Sequence, residues 1–245
     1  FDDEDLDEDE THYVIESYGR TQNDKSVFLR ITGYTPYFFV EVPKTWKNRH
    51  LEMFVDAVRN RVWPNKFKKC LINYELRKRN KLYGFRAGKK FKFAILIFNS
   101  MEGMKRFQYA FNKPIPIPGL AKSKKYEVFE TNIPPLLRFL HIVDINASGW
   151  ISVKKYNKLP SKHYNTDYAI EAKWTDIKSI KDYTGIAPLK ILSFDIECTS
   201  GDGVSFPQAS RESDKLIQIG STFSRNGEEK CYYKHIVTLG SCDPI

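Results

Sequence analysis

Residues 27–42 are dense in β-branched and aromatic side chains (Val-Phe-Leu-Arg-Ile-Thr-Gly-Tyr-Thr-Pro-Tyr-Phe-Phe-Val-Glu-Val), a texture that packs on a pleated sheet and loses rotamer freedom in a helix. The stretch predicts two strands, with residues 33–36 (Gly-Tyr-Thr-Pro) as the turn of a hairpin between them. Residues 11–17 and 90–99 alternate apolar and polar positions and read as further strands. Helical spacing occurs at Leu51, Phe54, Val55, Val58 and Val62, a second helix is expected over 100–111, and a third after Pro134 and Pro135. Pro114, Pro116 and Pro118 enforce an extended connector between them.

Residues 152–181 are polar and without strong periodicity. Beyond them, 189–197, 216–223 and 230–237 are apolar runs separated by Gly, Ser, Pro and Asn, the signature of an antiparallel meander. The fold class is therefore α+β, with a domain boundary near 182–187. A length of 245 residues fits one to two domains.

The longest apolar run, 93–98, is six residues, far below the roughly 18 of a membrane-spanning helix, and no membrane partner is expected. The first ten residues hold eight carboxylates, which argues against a signal peptide and for a solvated, disordered leader. Without them the chain has 39 Lys and Arg against 22 Asp and Glu, a net charge of +17. Residues 44–106 contribute 18 of those cations and only four acids, a field that attracts polyanions, so nucleic acid is the leading partner. The densest charge, Arg77, Lys78, Arg79 and Lys81, is the expected phosphate contact, with Tyr74, Tyr83, Phe85 and Phe91 nearby for base stacking. The alternating Phe91 and Phe93 read as core in preference to a stacking surface. Residues 84–90 lack the phosphate-loop pattern and read as a hairpin turn. His141 sits among apolar residues and is expected in the core, and of Tyr232 and Tyr233 one should face the surface. Cys70, Cys198, Cys231 and Cys242 show no metal-site or disulfide spacing, as expected of reduced intracellular thiols. A first residue other than Met and an end without a capping signal suggest a piece of something longer.

Asp195 and Glu197 close the run at 191–194. On a strand, positions i and i+2 share a face about 6.5 to 7 Å apart, so the two carboxylates look one way while Phe194 and Ile196 are expected to be buried on the other. Paired carboxylates repel unless a cation lies between them, and hard divalent ions such as Mg²⁺ or Mn²⁺ are the natural partners. In two-metal phosphodiester hydrolysis such a pair supplies half of a site. A solvated turn at the end of a strand is the alternative reading of these two residues.

Residues 186–198 (Ile-Ala-Pro-Leu-Lys-Ile-Leu-Ser-Phe-Asp-Ile-Glu-Cys) resemble the first proofreading-exonuclease motif of family B DNA polymerases, of the delta type and of large eukaryotic DNA viruses. The likeness continues at 206–207, 214–219, 33–38, 82–85, 139–150 and 174–176, and so covers nearly all of the chain after the leader. It implies an acidic leader at 1–10, a mixed α/β polymerase N-terminal domain at 11–185, and the first strands of a ribonuclease-H-like 3′ to 5′ exonuclease domain at 186–245. It also implies Asp195 and Glu197 as catalytic ligands of Mg²⁺ or Mn²⁺, two ions in the completed site. DNA template-primer is the implied partner, together with the rest of the polymerase or a partner subunit and a sliding clamp, in the nucleus or a viral replication compartment. The family's further exonuclease aspartates and its palm carboxylates are absent, so this chain by itself is expected to be inactive in both reactions. Two other readings stand beside this one: a non-catalytic module for single-stranded nucleic acid, and one subunit of a split polymerase. A stand-alone nuclease would need Asp202, Asp214 or Asp243, none in a suitable context.

Overall fold

The computed structural model describes residues 12–81 and 87–241. The acidic leader, the 82–85 motif, Asp243 and the first half of the 84–90 turn lie outside the described residues.

The chain opens with β1 (Ile15–Arg20), β2 (Ser26–Thr32) and β3 (Tyr37–Glu41). The expected hairpin between β2 and β3 does not form, because the two strands belong to different sheets. Residues 33–36 are a crossover: Gly33 takes a left-handed φ of +79°, and Tyr34 turns inward against Phe139 and Trp174 in edge-on contact. Burying that ring outweighs a local turn.

α1 (Asn48–Arg59) buries Leu51, Phe54, Val55 and Val58, the apolar stripe read from sequence. It begins three residues before that stripe, where the Lys47 amide donates to Nδ1 of His50 at 2.9 Å. After a 3₁₀ turn at Asn65–Cys70 come β4 (Leu71–Asn80) and β5 (Lys90–Phe98), paired antiparallel, and then α2 (Met101–Tyr109). Ser100 caps α2 by accepting the Gly103 amide at 3.1 Å. The proline-rich connector holds β6 (Ile115–Ile117), which pairs with β7 (Ala121–Lys124), and β8 (Val128–Phe129) follows.

α3 (Pro135–Val143) starts with proline at its first turn, as expected, and ends on Asp144 in the left-handed region. His141 is exposed, against expectation, because the helix buries Pro135, Arg138 and Phe139 and turns His141 outward. The polar segment at 152–181 is not structureless: it contributes β9 (Ile151–Val153), β10 (Asn157–Lys158), β11 (Tyr168–Lys173) and β12 (Ile177–Ser179). The last three strands are β13 (Lys190–Thr199), β14 (Lys215–Arg225) and β15 (Tyr233–Thr238), the antiparallel meander read from sequence. Tyr232 and Tyr233 are both about half exposed, which meets the expectation that they do not both face inward.

The chain divides into two compact units. One comprises 1–17, 29–159 and 170–181. It contains a sheet in the order β4-β5-β3-β8, whose inner face (Phe38, Val40, Ala94, Leu96, Phe98) packs with α1 and α2 in the larger core. Phe98 stacks on Phe38 at 5.3 Å and meets Phe107 of α2 at 5.1 Å. A smaller core gathers Ile15, Leu29, Ile31, Tyr34, Phe139, Ala172 and Ile177. The other unit comprises 18–28, 160–169 and 182–245. Within it Phe28 is buried with its ring stacked 4.0 Å from Tyr164, and Asp167 accepts the amide and hydroxyl of Ser26, each at 2.8 Å.

Candidate functional site

The register of β13, β14 and β15 sorts their residues into two unlike faces. Directly opposed residues of an antiparallel pair share a face. Asp195 faces Gly220, which faces Ile236; Glu197 faces Gln218, which faces Thr238; Ser193 faces Thr222, which faces Lys234. On the reverse side lie Leu192, Phe194, Ile196, Ile219, Phe223 and Val237. The pairing puts the two carboxylates together with Phe194 and Ile196 opposite, as the spacing implied, but Phe194 and Ile196 are exposed and not buried as expected, because among the described residues nothing packs on that face of β13.

Three local features shape the carboxylate face. Gly220 opposite Asp195 lacks a side chain, and a Cβ built there would meet nothing within 4 Å, so the space before Asp195 is open. A shallow hollow of about 510 Å³ adjoins Asp195, lined also by Ser193, Phe194, Gly220, Ser221, Thr222, Lys234, His235 and Ile236. Glu197 faces Gln218 but Cys198 faces Leu216, so β14 carries an extra residue and a bulge directly after the second carboxylate. Asp195 Oδ1 accepts the amide of Ile196 at 2.9 Å, which steadies the carboxylate. Among the described residues neither Asp195 nor Glu197 has an ion-pair partner.

Two hard oxygen donors on one exposed face suit Mg²⁺ or Mn²⁺ by charge and by ligand type. They supply two ligands only: among the described residues no group of three or more His, Cys, Asp or Glu is gathered for a metal. Asp202 and Asp214, weighed from sequence as further ligands, are engaged in the loop after β13. Asp202 accepts the Ser205 hydroxyl and the amides of Val204 and Ser205 at 3.0 and 2.9 Å, and these bonds hold it well below the usual carboxylate range. Asp214 accepts the amides of Gly201 and Gln208 at 2.9 and 2.8 Å, which lower its pKa as well. The sequence carried no sign of Gly220 or Lys234 as parts of this face, since strand register alone brings them there.

The basic cluster is divided by its strand. Arg77 and Arg79 share one face of β4 while Lys78 takes the other, opposite Lys92. Arg77 donates twice to Glu75, at 2.7 and 2.8 Å, and Lys81 donates to Glu41 at 2.6 Å. Arg79 and Lys78 carry the cluster's uncompensated charge among the described residues.

Comparison with known proteins gives consistent matches. Residues 126–245 match the family model described as DNA polymerase family B, exonuclease domain. A DNA polymerase of Acanthamoeba polyphaga mimivirus is 42% identical across 97% of this chain, which covers 14% of that relative. A DNA polymerase of Paramecium bursaria Chlorella virus NY2A is 26% identical, with 94% of this chain and 23% of the relative covered. The DNA polymerase delta catalytic subunit of Schizosaccharomyces pombe is 28% identical, with coverages of 94% and 21%. The chain thus spans under a quarter of the length of these relatives. The solved structure of a family B DNA polymerase from Pyrobaculum calidifontis superimposes with a TM-score of 0.62 at 16% identity, over 94% of this chain and 26% of that one, and shares its fold.

Proposed function

The chain belongs to the family B DNA polymerases, and on that premise we propose that Asp195 and Glu197 are metal-binding carboxylates of a 3′ to 5′ exonuclease site in a polymerase that replicates DNA. The observation that carries this reading is the pairing of the two carboxylates on one open face of β13, opposite a glycine. In the same reading, residues 11–185 are the N-terminal domain, 186–245 open the ribonuclease-H-like exonuclease domain, and template-primer DNA is the partner.

A divalent ion bound there would supply the activation of water and the stabilisation of a leaving oxygen. What the chain itself does is simpler. Asp195 and Glu197 present negative oxygens to one side, the bare Gly220 leaves room for a substrate backbone, and Lys234 adds a positive charge on the same face. Antiparallel pairing with β14 keeps both carboxylates on one face, since a slip of one residue would turn both away.

Mn²⁺ binding to the 245-residue chain, read by water-proton relaxation, tests the assignment. A weak site is expected that is lost in Asp195→Asn and in Glu197→Gln and unaffected by Asp202→Asn. Equal binding by all four proteins would overturn it.

A further inference from the structure

The acidic leader sets eight carboxylates in ten residues, with no Lys or Arg among them. Where it joins the fold is fixed by two hydrogen bonds. The Tyr13 amide donates to the Asn99 carbonyl at 2.5 Å, and the Asn99 amide donates to the Cys70 carbonyl at 3.0 Å. Cys70 closes the 3₁₀ turn at Asn65–Cys70, and Asn99 directly precedes Ser100, the cap of α2. The turn and the helix pack closely, because the bare Gly103 lets α2 approach until a Cβ there would meet Cys70 Cβ at 2.3 Å. The Lys66 ammonium and the Arg106 guanidinium share one ring, 5.7 and 5.2 Å from the centre of Phe67. The leader therefore joins beside both elements.

Both elements are rich in cations. The 3₁₀ turn has Lys66, Lys68 and Lys69 and no acid, and α2 has Lys105 and Arg106 against Glu102. Glu102 is taken by Arg106 at 3.3 Å, and Asp56 of α1 by Arg59, which also donates to the Leu71 carbonyl at 3.2 Å. Lys66, Lys68, Lys69 and Lys105 have no ion-pair partner among the described residues, and Lys66, Lys69 and Lys105 are exposed. Cations gathered on adjoining elements without a counter-charge make a local positive field.

We propose that the leader's carboxylates pair with Lys66, Lys68, Lys69 and Lys105 of the same chain, an intramolecular contact that shields this patch from other polyanions. Asp7, Glu8, Asp9 and Glu10 stand three to six residues before Tyr13, which extended chain spans in roughly 10 to 20 Å. A tether this short holds the acids at an effective concentration of about millimolar, so exposed ion pairs that are individually weak act together. A free polyanion, or the leader of a second copy, has no such advantage and must displace the tethered one. The inference does not depend on the role of Asp195 and Glu197.

The test is zero-length carbodiimide coupling of the whole chain, mapped by mass spectrometry. The reagent activates a carboxylate, a touching lysine amine displaces it to form an amide, and the reagent leaves as its urea. Glu41 and Lys81, paired at 2.6 Å and partly buried, are the internal control. At low salt, cross-links are expected from residues 2–10 to Lys66, Lys68, Lys69 and Lys105 within the monomer. They should fall at least about fivefold in 1 M salt, where exposed charges are screened within ~3 Å, and on addition of heparin, with the control retained. Joint Lys66→Gln and Lys69→Gln should reduce coupling at Lys105 about threefold, while joint Lys66→Arg and Lys69→Arg should preserve it, since charge and not the amine holds the leader there. Coupling spread evenly over the chain's lysines, coupling found only between copies, coupling undiminished by heparin, or coupling at Lys105 indifferent to the Gln pair overturns the proposal.

Discussion

Gly103 shows how narrowly a single position is set. It lies in α2, where alanine would favour the helix by up to about 1 kcal/mol. A Cβ there would come within 2.3 Å of Cys70 Cβ and 2.8 Å of its sulfur, in the larger core. Overpacking of this kind costs about 1–3 kcal/mol, so Gly103→Ala should lower stability on balance, read as a lower denaturant midpoint with an unchanged slope. Arg138 carries the opposite lesson, a charge taken into the interior with its needs met. It donates to the Tyr37 carbonyl and to the Glu130 carbonyl and carboxylate, at 3.1 and 2.8 Å for the Glu130 pair, and its guanidinium lies 4.1 Å over the Tyr37 ring. At Asp195 the face it shares with Glu197 was legible from the i, i+2 spacing. The glycine that opens the space before it was not, because Gly220 lies 25 positions along the chain and is brought opposite only by strand pairing.

Among the elements, the loop between β13 and β14 is tied down by two ionised side chains. Asp202 and Asp214 both have folded-state pKa values below the unfolded ~3.9, so the order they confer is complete above that value and is lost as pH falls through the lowered folded values. Amide exchange at Gly201, Val204, Ser205 and Gln208 should therefore stay slow from neutral pH to below pH 4 and quicken only under stronger acid. Asp202→Ala should quicken Val204 and Ser205 at neutral pH, and unchanged protection there would contradict the hydrogen-bond assignment. β4 teaches a related point about charge clusters. Arg77, Lys78, Arg79 and Lys81 fall within five residues of sequence but are divided by the strand's period of two, and Glu75 and Glu41 neutralise half of them. A cluster counted along the chain overstates the charge offered in any one direction.

For the molecule as a whole, the faces of its sheets matter more than its list of elements. The reverse face of β13-β14-β15 leaves large apolar side chains in water, with Phe194 at 67% exposure and Leu192 at 53%. A contiguous apolar surface of this kind binds hydrophobic dyes. Phe194→Ser should reduce dye fluorescence with little change in stability, because the ring is already largely solvated, and unaltered fluorescence would place the dye elsewhere. The helices at α1, α2 and α3, the strand at β5 and the final meander were all legible, α1 and β5 from periods of 3.6 and 2, α3 from the paired prolines before it, and the meander from apolar runs between turn residues. So were the family and the carboxylate pair, which depend on local order along the chain. The tertiary structure alone decided that β2 and β3 part company, that His141 faces water, and that the polar segment at 152–181 supplies four short strands. The reason is the same in each case: a side chain's direction along its own element is a local property, but which element lies opposite it is fixed by long-range pairing and by competition among distant residues for the core.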